Sequence, residues 1–147
     1  MSRSWVEVPI NYFVIEHRDG LVLFDTGLDP AIGTDPNYVS SALGRFLLRR
    51  IFRFHIGPED RLGAKLKALG FSAADVRTAV LSHLHFDHTG GIAEIPQADL
   101  LVSREEWQVL STRHPEREWI LREHIEIPGA KWRQIEFEKT NDPLLSP

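Results

Sequence analysis

A chain of 147 residues that is 42% hydrophobic and 26% charged has enough apolar content for one ordinary core and does not have the composition of a disordered segment. Its net charge of −4 gives no electrostatic footprint for nucleic acid, and the lack of cysteine excludes disulfides, thiolate-bound zinc and thiol catalysis. No apolar run approaches membrane-spanning length and the N-terminus lacks the apolar stretch of a secretory signal, so the expectation is a soluble, cytoplasmic protein with no membrane or nucleic-acid partner.

Val6 to Glu16 is rich in β-branched and aromatic residues and reads as a strand, with Pro9 bending its first part. Asp19-Gly20 marks a hairpin turn. Leu21 to Phe24 is continuously apolar, the pattern of a strand buried on both faces, and it ends in Asp25-Thr26-Gly27. Leu28 onward reads as loop. From Ser41 the pattern is helical, with Leu43, Phe46, Leu47 and Ile51 on one face and Arg45, Arg49 and Arg53 on another, a solvated one. Phe46, Phe52 and Phe54 read as core. Pro58 precedes a helix from Glu59 to Leu69 that lines up Leu62, Leu66 and Leu69 and stops at Gly70.

Ser72 to Asp75 resembles a capping box, and Val76 to Ser82 is the next strand. Leu100 to Val102 is a short strand, and Ser103 with Glu106 forms a second capping box that opens a helix to about Leu110. Glu116 to His124 reads as helix, Trp132 to Phe137 as strand, and 138–147 as an irregular tail. Trp107, Trp119 and Trp132 read as core or interface, and His17, His55, His114 and His124 as surface residues. The succession predicts a single α/β domain over 1–147 with a mixed sheet.

The chemistry concentrates in His83-Leu84-His85-Phe86-Asp87-His88-Thr89-Gly90-Gly91, which directly follows the predicted strand. Imidazole nitrogen and carboxylate oxygen are the donors that zinc and similar borderline cations accept. Two apart at a strand end, His83 and His85 point the same way. After a turn, Asp87 and His88 face the same spot from the other side. Two donor pairs suit two cations, or one cation with a supporting group.

This stretch resembles the metal loop of the metallo-β-lactamase superfamily, and Leu23-Phe24-Asp25-Thr26-Gly27-Leu28 resembles its upstream strand-end motif. The likeness spans about Val6 to Val102. The fillers Leu84 and Phe86 and the Thr89-Gly90-Gly91 tail look most like the N-acyl homoserine lactonase branch. The resemblance implies an αβ/βα sandwich with a mixed sheet, its metals at one edge of two facing sheets. It implies a first metal on His83 and His85, a second on Asp87 and His88, and Asp25 as a supporting group behind them. The family's ions are two zincs; one or none is expected here, with iron, manganese or cobalt as alternatives. The implied reaction is hydrolysis of a small lactone or ester, with Asp87 carrying a proton to the leaving alkoxide. Glyoxalase II-type thioesters and phosphodiesters are the alternative substrates. Family members complete both sites with one further Asp and two further His from their C-terminal half. Downstream of the motif only Asp99, His114, His124 and Asp142 remain, none in a matching motif. The expectation is therefore a domain lacking its C-terminal portion: a truncated gene, a fragment, or half of a site completed by another chain. An exposed sheet face and a homodimer or domain-swapped pairing go with it.

Overall fold

A computed structural model describes residues 5–136; Phe137 and the predicted tail at 138–147 lie outside the described residues. Five strands form one mixed sheet in the order β1 (Phe13–His17), β2 (Gly20–Phe24), β3 (Val76–Val80), β4 (Asp99–Ser103) and β5 (Lys131–Ile135). β1 pairs with β2 antiparallel through the predicted hairpin, and β2 to β5 run parallel. Parallel neighbours need crossover connections. These carry the helices α1 (Ala31–Thr34), α2 (Ala42–Ile51), α3 (Leu62–Ala68), α4 (Phe86–Thr89) and α5 (Arg104–Leu110).

One face of the sheet is closed. The paired rows Leu23–Ala79, Ala79–Leu100 and Leu100–Trp132 put their side chains on the side of α3. Leu62 and Leu66 of α3 meet Leu21, Leu23, Ala79 and Leu100 there, together with Ile92 and Ile95. Leu23 and Leu66 are wholly buried, and each contributes about 2 kcal/mol by leaving water. A second cluster beyond β4 gathers Leu84, Val102, Leu110, Ile120 and Ile125, and Trp132 packs against both. Trp132 also donates its indole hydrogen to the Ile125 carbonyl at 3.0 Å.

Among the described residues the other face is open. Phe13, Ile15, Val22 and Phe24 share it through their cross-strand partnering, continued by Val80 and Leu101. Phe13 is 63% exposed, Ile15 51% and Phe24 40%. The continuous apolar run of β2 therefore does not mean burial on both faces among the described residues; only Leu21 and Leu23 are buried. The expected exposed sheet face is present.

Other expectations need correction. Val6 to Tyr12 forms no strand, because nothing described pairs with it and Pro9 has no amide hydrogen to give a ladder. The stretch expected as loop after Leu28 holds α1, begun by Asp29, whose Oδ1 accepts the Ala31 amide at 2.9 Å. The helix expected from Glu59 divides into a turn at Pro58–Asp60 and α3, and Leu69, 61% exposed, leaves the buried face. α2 begins where expected, on the Ser41 side chain, but Leu43, Phe46, Leu47 and Ile51 point outward and Leu48 points in. Phe46 is thus not core, whereas Phe52 and Phe54 are half-buried against Phe86. The helix expected over Glu116 to His124 is two 3₁₀ turns, Pro115–Glu118 and Arg122–His124, separated by Trp119 at a left-handed φ of 58°. His124 is not a plain surface residue: it is half-buried, stacked on Tyr38 at 4.1 Å, with Nε2 donating to the Tyr38 carbonyl at 2.7 Å.

Candidate metal centre

The His-rich stretch leaves the C-terminal end of β3 and turns into α4. Its residues sort by chemistry. Leu84 and Phe86 are buried, the first in the cluster beyond β4, the second against Leu28, Leu121 and Trp119. His83, His85, Asp87 and His88 stay half-buried. The apolar fillers act as pegs that hold the polar residues outward.

The loop is also held by its backbone. The Phe86 amide donates to the Trp119 carbonyl at 3.1 Å, which the left-handed turn at Trp119 makes available. The Leu84 amide donates to the Glu106 carboxylate at 3.2 Å. Ser103 does cap α5 by accepting the Glu106 amide at 3.1 Å, but the Glu106 side chain serves the loop instead of closing the box. Sequence reasoning missed this role; nothing at Glu106 distinguishes a cap from an anchor.

Asp25-Thr26-Gly27 clamps the far side. The Thr26 amide and hydroxyl both donate to the His88 carbonyl at 2.8 Å, and the Thr26 hydroxyl accepts the Gly91 amide at 3.1 Å. The Gly90 amide donates to the Gly27 carbonyl at 2.8 Å. This approach explains the glycine pair: a methyl group on Gly90 would stand 2.6 Å from the Leu28 carbonyl carbon, and one on Gly91 2.6 Å from the Thr26 carbonyl oxygen.

Asp25 stands where the motif at the end of β2 was expected to place a supporting group, with a left-handed φ of 63°. Its Oδ2 accepts from Nδ1 of His88 at 2.9 Å, and its Oδ1 accepts the Ser82 amide at 2.8 Å. The Ser82 hydroxyl lies 2.9 Å from Oδ2 of Asp25 and 2.9 Å from Nδ1 of His83. Burial works to raise the Asp25 carboxyl, and the hydrogen bonds from His88 and Ser82 outweigh it, so it lies below the usual carboxylate value. The bond to Asp25 lifts His88 above an ordinary imidazole, against the effect of burial. Burial, with the neighbouring imidazoles, lowers His83.

Every residue expected at the site is brought together. The His83 ring centre is 4.4 Å from that of His85 and 3.9 Å from that of His88, and Oδ2 of Asp87 is 3.6 Å from Nε2 of His88. His17, His55 and His114 stay exposed, as expected. Three imidazoles and a carboxylate suit a borderline divalent cation, and with Nδ1 of both His83 and His88 engaged, their Nε2 atoms are left to coordinate. By its chemistry the donor set suits a cation, although among the described residues no group of three or more His, Cys, Asp or Glu side chains is arranged to hold one.

Fold and loop together define a class: an α/β chain that presents imidazole and carboxylate donors at the C-terminal ends of the parallel strands of a mixed sheet. Residues 5–145 match the metallo-beta-lactamase superfamily, and the chain belongs to it. The family implies a divalent metal. The N-acyl homoserine lactonase AttM of Rhizobium johnstonii is 31% identical over 132 residues, which is 86% of this chain and 47% of that relative. A probable metallo-hydrolase of Mycobacterium tuberculosis is 38% identical over 106 residues, 72% of this chain and 32% of its own length. The solved structure of an N-acyl homoserine lactone hydrolase, with the product N-hexanoyl-L-homoserine bound at its catalytic metal centre, superposes with a TM-score of 0.66 at 24% identity, over 92% of this chain and 50% of that one. That likeness gives the metallo-beta-lactamase fold. The chain spans about half the length of the lactonases it matches.

Proposed function

We propose that this chain carries the first half of the site of a metal-dependent hydrolase that opens a small lactone or ester, of the N-acyl homoserine lactonase type. The observation that carries the proposal is that His83, His85, Asp87 and His88 stand beside one another at the end of β3, with the Asp25 carboxylate bonded to His88. The lactonases among the relatives support the choice of substrate. In this reading His83 and His85 hold one cation and Asp87 and His88 a second. Zinc is the ion of choice, with iron, manganese or cobalt as substitutes. A bound cation supplies Lewis acidity toward the carbonyl and makes a water more acidic.

The chain's own residues do the rest. Asp25 and Ser82 orient two imidazoles. Leu84 and Phe86 keep the loop from folding inward. Asp87, with its side chain 33% exposed, remains within reach of solvent and is the group that passes a proton to the leaving alkoxide. A chain without cysteine suits a reducing compartment, which supports a cytoplasmic placement; no described helix is long and apolar enough to cross a membrane.

Zinc-loaded protein, assayed on an acyl homoserine lactone, a glutathione-type thioester and a phosphodiester, tests this reading. Lactone opening that is lost in His83→Ala and His88→Ala supports it. A preference for the thioester would move the protein to the glyoxalase II type instead. Unchanged bound zinc in both variants would remove the metal centre altogether.

The open sheet face favours a second reading of the same chain, as a metal-binding half-domain that pairs with another chain. Strands β2 to β5 run parallel, and parallel strands are covered on both faces in stable folds, yet Phe24 of β2 faces solvent beside Phe13 and Ile15 of the edge strand β1. Sedimentation of the purified protein decides: a monomer with full lactonase activity would end this reading.

A further inference from the structure

We propose that Ser82 is a positioning residue that sets the tautomer of His83 and so determines which nitrogen that ring offers to a cation. The proposal rests on reading His83 as a metal ligand. Ser82 lies just beyond β3, immediately before the first histidine of the loop. Its hydroxyl oxygen is 3.0 Å from Oδ1 and 2.9 Å from Oδ2 of Asp25, and 2.9 Å from Nδ1 of His83.

Donor counting fixes the direction of these bonds. A hydroxyl has one proton, and an ionised carboxylate only accepts. If the Ser82 proton pointed at His83, the hydroxyl oxygen would stand 2.9 Å from a carboxylate oxygen with no hydrogen between them, a repulsive contact. The proton therefore goes to Asp25. Oγ is left as an acceptor, so Nδ1 of His83 carries the hydrogen and Nε2 is bare. Asp25 orders His88 directly by the same logic, since its Oδ2 accepts from Nδ1 of that ring at 2.9 Å. The 3.4 Å separation of Ser82 Oγ from Nδ1 of His88 is too long to compete. One carboxylate thus orders two imidazoles, the second through a hydroxyl, and leaves Nε2 of both without a hydrogen.

Asp25 is itself constrained to serve both. The Ser82 amide donates to its Oδ1 at 2.8 Å, and its own amide donates to the Val80 carbonyl at 2.8 Å, so the residue is held through both side chain and backbone to the end of β3 and the residues just beyond it.

Long-range nitrogen–proton correlation of the imidazole rings tests the proposal in metal-free protein, at a pH where the rings are neutral. In the unmodified chain, His83 and His88 both carry hydrogen on Nδ1. In Ser82→Ala, His83 loses that preference and His88 keeps it; in Ser82→Thr, which retains the hydroxyl, both rings keep it. Zinc binding by calorimetry weakens about tenfold in Ser82→Ala and recovers in Ser82→Thr. A purely structural role for Ser82 would not move one tautomer and spare the other. His83 with hydrogen on Nε2 in the unmodified protein overturns the proposal, and so does a Ser82→Ala protein with unchanged tautomers and zinc affinity. Should Ser82→Ala fail to fold, the unmodified protein and Ser82→Thr still decide. The tautomers are read without metal or substrate, so failure to hydrolyse any lactone would count against the proposed function and leave this result standing.

Discussion

The Asp25 carboxylate and the His88 imidazole meet at 2.9 Å across 63 positions of sequence, joining the end of β2 to the loop that follows β3. Replacing Asp25 by Asn puts a donor where the site needs acceptors. One amide oxygen cannot receive the Ser82 amide, the Ser82 hydroxyl and the His88 ring together. Asp25→Asn is expected to weaken zinc binding about 10- to 100-fold, measured by calorimetry. Undiminished affinity would mean that the carboxylate does not order the site.

Gly90→Ala tests the clamp itself. The added methyl group would meet the Leu28 carbonyl carbon at 2.6 Å and the Gly27 carbonyl oxygen at 2.8 Å, both backbone atoms with little room to move. Overpacking of this kind costs about 1–3 kcal/mol. The urea midpoint should fall accordingly, whereas Gly70→Ala has no neighbour within 4 Å to strike and is strained only by its φ of 88°. Equal losses at the two positions would remove the steric account.

A charge on the open sheet face should change association, not folding. Phe13 is 63% exposed on the edge strand, so Phe13→Glu removes little buried surface from one copy. If the face is covered by another copy, the variant sediments as a monomer and remains soluble at concentrations where the unmodified protein self-associates. The control is Phe46→Glu, on the outward side of α2 and 64% exposed. If Phe46→Glu breaks the assembly and Phe13→Glu does not, the interface lies on the helix.

Acid should loosen the connection between α2 and the second 3₁₀ turn after α5. The Glu123 carboxylate accepts the Ser40 amide at 3.0 Å. Burial works to raise its pKa, and backbone hydrogen bonds from Ser40 and its own amide bring it below the ordinary value. A lowered folded-state pKa stabilises above the unfolded value of about 4.3 and loses that contribution as pH falls through the folded value. Urea unfolding at neutral pH should therefore show a deficit in Glu123→Gln that disappears at strongly acidic pH. A deficit that persists in acid would assign the effect to packing.

The hairpin, the strands, the start of α2 at Ser41 and the capped start of α5 were all legible in the residues, because turns, caps and β-branched runs act through neighbours a few positions away. The break at Trp119, which replaces the expected Glu116–His124 helix with two 3₁₀ turns, was not. Trp119 adopts its left-handed turn so that its carbonyl can meet the Phe86 amide, a partner 33 positions earlier in the chain. The facing of α2 was also hidden: its period is helical, but a period does not say which stripe meets a core, and only Leu48 does.

By itself the sequence determined the α/β succession and the local order of donors, since His83, His85, Asp87 and His88 lie within six positions and a strand end followed by a turn suffices to bring them together. It also pointed to Asp25. Only the tertiary structure decided how that carboxylate is used. Asp25, Ser82 and His88 meet because β2 pairs with β3 in parallel, and that pairing places the two strand ends side by side. The roles of Ser82 and Glu106 belong to the same level, for a hydroxyl or a carboxylate gains its function from the groups it faces, and these are set by packing across the sheet edge. The open face of β1 and β2 was decided there too, because an apolar strand is buried only where another layer covers it.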